Sequence, residues 1–132
     1  MTIIRNISKI SYLVKDYDEA IDFFVHKLHF KLIEDTVLDD KKRWVLVAPS
    51  IKNSFTLLLA KADGDEQEKY IGNQTGGRVF LFLNTDNFDR DYQNLLDQKI
   101  RIVREPKEEP YGTVCVFKDL YGNLWDLIEP KS

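Results

Sequence analysis

Apolar and polar positions change period several times along the chain, and each change marks an element. Residues 9–14, KISYLV, read as a strand closed by an apolar pair. In the following YDEAIDFFVHKL, Ala20, Ile21, Phe24 and Leu28 recur at helical spacing. Asp16 stands where that helix needs its N-cap, and Glu19 three residues later completes a capping-box pattern. FKLIED (30–35) returns as a strand, and RWVLVAP (43–49) and SFTLLLAKA (54–62) predict two more.

The same succession then repeats. RVFLFL (78–83) is strand-like, Asp86 is the candidate cap, and NFDRDYQNLLDQ places Phe88, Tyr92, Leu95 and Leu96 at helical spacing. IRIVRE (100–105), TVCVFKD (113–119) and NLWDLIEP (123–130) follow as strands. DLYGN joins the last two as a tight turn, with Gly122 supplying positive φ. The offset between halves is nearly constant: 69 residues from Lys9 to Arg78 and 70 from Asp16 to Asp86. The polar, glycine-bearing stretch between the halves reads as a linker. The expectation is therefore one domain over residues 1–132, with module 8–62 and module 77–130 joined by linker 63–76. A four-stranded sheet with one helix on its outer face cannot close a core alone. The expected class is α+β: two tandem βαβββ modules forming a curved, cup-like mixed sheet with helices outside.

Composition acts mainly by exclusion. A net charge of −3 over 132 residues offers no basic field for nucleic acid and no polybasic patch for a membrane. No apolar run reaches the roughly 20 residues a bilayer requires, and MTIIRNISK lacks the layout of a signal peptide. A single cysteine excludes an intrachain disulfide and fits a reducing cytoplasm. Cys115, inside TVCVF, reads as a small core hydrophobe, because His26 and His29 lie far off in sequence. Those histidines are three apart, yet the helix ends between them and no carboxylate or thiol pattern joins them, so they predict no metal site. GDEQEK and REPKEEP are solvated faces.

Two stretches carry a family resemblance. VKDYDEAIDFFVHKLHFKLIED is similar to the opening strand–helix–strand of the vicinal oxygen chelate superfamily, which includes glyoxalase I, bleomycin-resistance proteins, fosfomycin-modifying enzymes and extradiol dioxygenases. VFKDLYGNLWDLIEP resembles its closing hairpin, through the pattern D-x-x-G-N-x-x-acid-L. In metal-dependent members, side chains at the start of the first strand and on the last strand of each half hold a divalent ion. The resemblance carries those positions to Lys9, Arg78, Leu57 and Asp126. Leucine has no donor atom, and the Lys and Arg cations repel a divalent ion, so no metal and no other cofactor is expected.

The residues then imply a different lining. Arg78 would point into the cup with Phe80 and Phe82 beside it, while Val79, Leu81 and Leu83 pack under the helix. Lys9, Arg78 and Asp126 form a candidate anion-binding cluster, or an abandoned metal site filled by ion pairs. Arg43 and Trp44 are further candidates, Trp44 as a stacking wall or as core; Gln74, Tyr111 and Tyr121 sit in loops that could rim the cup. Two functions follow from the resemblance. The first is a metal-independent binding protein for an anionic or aromatic small molecule. The alternative is a glyoxalase-like lyase or isomerase, or a dioxygenase, with Asp126 as candidate base. The resemblance also implies a homodimer.

Overall fold

The alternating stretch after Ser8 forms β1 (Lys9–Val14), which lies parallel to β4 (Thr56–Lys61). Antiparallel neighbours β3 (Arg43–Ala48) and β2 (Lys31–Val37) complete a sheet of order β1-β4-β3-β2. The computed structural model describes residues 1–52 and 55–132; Ser54, where the last strand of the first module was expected to begin, lies outside them. The chain divides into two units, Met1–Asp63 and Gly64–Ser132.

In the first unit one face of the sheet carries the core. Tyr12, Leu59 and Val45 form one row across the strands, each 0% exposed. Phe24 seals that row, its ring 5.2 Å from Tyr12, edge to face, and 5.5 Å from Phe30. The helix bearing Phe24 starts as expected. Asp16 Oδ2 accepts from the Glu19 N–H at 2.9 Å and opens α1 (Tyr17–Ile21). It continues as a π-helical segment, Asp22–Lys27.

The second unit repeats the plan with β5 (Val79–Asn84), α3 (Phe88–Asp97), β6 (Ile102–Glu109), β7 (Gly112–Lys118) and β8 (Leu124–Pro130), in sheet order β5-β8-β7-β6. The two mixed sheets with few helices bear out the α+β class of paired βαβββ modules. The stretch expected as linker contains one short helix, α2 (Asp65–Glu68). The cap of α3 is Asn87, not Asp86: Asn87 Oδ1 accepts from the Arg90 N–H at 3.1 Å, while Asp86 pairs with the Arg90 guanidinium at 3.0 Å. No helix among the described residues is long and apolar enough to cross a membrane.

Up to the helix ends, the two halves differ by two single-residue insertions that offset each other. Asp16 and Asn87, the true caps, are 71 residues apart, whereas His29 and Lys99, which end the two helices at φ 61° and 57°, are 70 apart. The first helix carries five α and six π residues where α3 has ten, and this extra residue restores the spacing. The closing bonds record it. Ile100 N–H reaches back five residues to Leu95 O, and Phe30 N–H reaches back six to Phe24 O.

Asp119 organises the last hairpin. Its buried Oδ1 accepts from the backbone N–H groups of Tyr121, Gly122 and Asn123 at 3.0–3.1 Å, and its Oδ2 accepts from Trp125 Nε1 at 2.9 Å and Asn123 Nδ2 at 3.2 Å. Gly122, at φ 99°, gives the turn its left-handed step.

Two stability outcomes follow. Lys99→Gly removes the side-chain penalty of the left-handed conformation and raises stability by about 0.5–1 kcal/mol in urea unfolding, whereas Lys99→Ala does not. Asp119→Ala leaves buried donors unmet and lowers stability by about 3 kcal/mol or more in the same measurement.

Candidate ligand-binding face

Alternation along β8 sorts its side chains between two environments. Trp125 and Leu127, 2% and 1% exposed, turn toward the α3 side, where Trp125 stacks on Phe117 with ring centroids 5.7 Å apart. Glu129 on the same side accepts from the Phe88 N–H at 2.7 Å, placing a carboxylate at the start of α3. Leu124, Asp126 and Ile128 therefore occupy the opposite face.

Register extends that face across the sheet. Asp126 stands between Phe82 on β5 and Val116 on β7, and Val116 stands beside Arg104 on β6. Phe82, Asp126, Val116 and Arg104 thus form one row, with neighbouring strands about 4.8 Å apart. Phe82 is 65% exposed, a large aromatic surface in the middle of a strand. Asp126 is half-buried, and among the described residues none donates a hydrogen bond or an ion pair to its carboxylate. Burial pushes its pKa above the ordinary value, and the Arg104 cation pulls it part of the way back. On the other face burial, with smaller contributions from the Asp126 and Glu105 charges, pushes the Cys115 thiol up to about 12, so it stays protonated and inert at neutral pH.

Of the residues singled out from the sequence, the structure brings Phe82 and Asp126 together as cross-strand neighbours. Phe80 falls where the β5–β8 register shifts between Val79 and Leu81. This bulge breaks the alternation expected for β5. Arg78 lies one residue before the strand; it is exposed, and its carbonyl accepts from Thr75 Oγ1 at 2.6 Å. Lys9 opens β1 in register with Thr56, exposed, with Nζ donating to Ser8 Oγ at 3.3 Å.

Strand pairing also corrects the offset between halves. Asp126 pairs with Phe82 and Val116; Leu58 holds the equivalent place in the first unit, between Ser11 and Leu46. Leu57 instead pairs with Ile10 and Val47 on the core side and is 3% exposed, matching Trp125. Likewise the partner of Leu124 is Val79, where the partner of Thr56 is Lys9. The correction leaves the donor set no better for a metal, since neither leucine nor valine offers a ligand atom. Among the described residues no three His, Cys, Asp or Glu side chains gather where they could hold an ion. The residues present do not fit the metal of the metal-dependent relatives.

Arg43 and Trp44 face opposite ways. Arg43 donates to both oxygens of Asp35, at 3.1 and 2.7 Å, and to Asp18 at 2.9 Å, and its guanidinium lies 5.1 Å over the Tyr17 ring. These carboxylates raise its pKa further. Arg43, a candidate ligand-binding residue from the sequence, uses these donors to tie α1 and β2 to β3. Trp44 is half-buried on the face away from the helix, one residue beyond the Val45–Leu59 pair, whereas Lys9 sits at the far end of the strands.

Arg104 and Val116 escaped the sequence reading. The register of β6 shifts on both sides of Arg104, so period-2 counting along IRIVREPKEE cannot assign it a face. For Val116 the signal was present, since the strand TVCVFKD lies across a short turn from Asp126.

Residues 6–127 match the model of the Glyoxalase/Bleomycin resistance protein/Dioxygenase superfamily. The chain belongs to this superfamily. An uncharacterized protein of Shewanella frigidimarina (strain NCIMB 400) is 58% identical over 126 residues, covering 95% of this chain and 93% of that one. Among solved structures, UcmS2 is similar with a TM-score of 0.82 at 26% identity, covering 96% of this chain and 99% of that one. TnmS3, an antibiotic binding protein from Streptomyces sp. CB03234, has a TM-score of 0.80 at 27% identity and covers 99% of this chain and all of its own, 100%. This superfamily fold hosts several chemistries, so function has to be argued from the face around Asp126.

The raised Asp126 pKa has a definite sign in stability. The folded state favours the protonated acid, so this contribution is complete below the ordinary value of 3.8 and is lost as pH rises through the higher folded value. Asp126→Asn should therefore melt above the parent protein at neutral pH, with the gap closing as pH falls toward 3.8; melting curves over that range check it.

Proposed function

We propose that this superfamily member is a metal-independent small-molecule-binding protein whose ligand contains a flat aromatic ring. One observation carries the reading: Phe82, 65% exposed, is held by strand register beside Asp126, a half-buried carboxylate with no bonding partner among the described residues. A rigid aromatic surface next to an unmet acceptor is the makeup of a binding site. The likeness to TnmS3, an antibiotic binding protein, supports it. The donor set supports metal independence, because the positions that supply ligands in metal-dependent relatives hold Lys, Val, Leu and Asp.

Calorimetric titration with naphthalene- and quinoline-based compounds tests the reading. Stacking on Phe82, together with the apolar area it covers, makes Phe82→Ala about tenfold weaker or worse. Chelator treatment leaves the parent's affinity unchanged. A parent protein that binds no aromatic compound, or a Phe82→Ala variant that binds as the parent does, overturns the aromatic site; loss of affinity on chelation overturns metal independence.

A further inference from the structure

The row Phe82–Asp126–Val116–Arg104 carries chemistry at two points, and the two are complementary. An ionised carboxylate only accepts hydrogen bonds, and a guanidinium only donates them. Whatever meets Asp126 must therefore present an N–H or O–H, and whatever meets Arg104 must present acceptor oxygens, best arranged as a carboxylate fork.

Arg104 differs from Arg43 and Arg90. Arg43 holds Asp18 and Asp35, and Arg90 holds Asp86 and Asp91, whereas among the described residues no carboxylate lies within ion-pair distance of Arg104. Its position on the face does not depend on counting along β6: it is register partner to Val116, which is register partner to Asp126. Two other cations belong to the same face by register, Lys118 beside Leu124 and Lys107 beside Val114; Lys107 is paired with Glu109 at 3.2 Å. The face thus has an excess of positive charge at its margin and one acceptor at its centre. Phe82 and Asn84 bring no charge from β5.

We propose that Arg104 and Asp126 together select aromatic carboxylates that carry a hydroxyl or amine donor on the same flat ring system, the carboxylate on Arg104 and the donor on Asp126, with the rings against Phe82. This rests on the aromatic-binding reading and gives it a ligand class. It replaces Arg78 with Arg104 as the anion-holding residue.

The test titrates three probes, hydroxynaphthoate, naphthoate and naphthol, into the full chain, Arg104→Ala, and Asp126→Leu, which copies the residue at the matching place of the first sheet. Hydroxynaphthoate should bind the parent about tenfold tighter than either other probe, as expected for adding one charge-assisted bond. Arg104→Ala should weaken both carboxylates about tenfold and leave naphthol unchanged. Asp126→Leu should weaken hydroxynaphthoate and naphthol and spare naphthoate. If Arg104→Ala is unstable, Arg104→Lys keeps the charge and loses the fork, and should weaken the carboxylates selectively. Carboxylates binding Arg104→Ala as tightly as the parent overturn the pairing. Naphthol binding with no carboxylate preference also overturns it and leaves the aromatic-binding reading intact. No binding of any probe overturns both. Light scattering covers the remaining occupant: a dimer that Phe82→Ala dissociates, with no probe competing, assigns the face to a second copy of the chain and overturns the proposal.

Discussion

The chemistry of the second unit depends on where one buried carboxylate holds the chain. Asp119 gathers three backbone N–H groups of the turn, the side-chain amide of Asn123 and the indole N–H of Trp125. No cation is needed, because five donors answer its charge. The consequence is register. With Trp125 anchored on the α3 side, pleating sends Asp126 to the other face, and a slip of one residue would exchange them. The same aspartate that closes a hairpin therefore decides that Asp126 shares a face with Phe82 and Arg104 and not with the core.

The two units show how a repeated plan diverges through single residues. A bulge at Phe80 lengthens one strand, and a π turn lengthens the other unit's helix, so the helix ends return to a common spacing. Each insertion has a local outlet: the strand takes the extra residue as a kink, the helix as a wider turn. Elsewhere the units satisfy similar needs with different groups. The first unit braces its helix to the sheet through Arg43, Asp35 and Asp18. The second does so through Glu129 at the start of α3 and through Tyr92, whose hydroxyl donates to Glu105 at 3.0 Å.

Electrostatics separates the arginines by use. Those enclosed by carboxylates serve architecture, their charge already answered by the acids they hold. Arg104 is near enough to Asp126 for its charge to be felt but too far to neutralise it. A carboxylate made partly dry by an apolar sheet face, with a cation one strand beyond its neighbour, favours a ligand that donates at one point and accepts at another.

Much of the fold was legible in the sequence. Alternation located the strands, helical spacing located both long helices, and Asp16 with Glu19 marked the first cap, because these signals are local and their periods differ. The repeat was legible too, and with it the family. What pattern reading could not supply was register. Asn87 took the cap from Asp86 because only one of two adjacent side chains can reach the Arg90 N–H. Leu58 took the place assigned to Leu57, and Val79 the place assigned to Arg78, because strand pairing and not a constant offset along the chain decides which positions match. The sequence by itself determined the supply of groups, one acid and several cations with no set of metal ligands. Only the tertiary structure decided which of them share a face, since cross-strand neighbours are set by hydrogen-bonded pairing between segments distant along the chain.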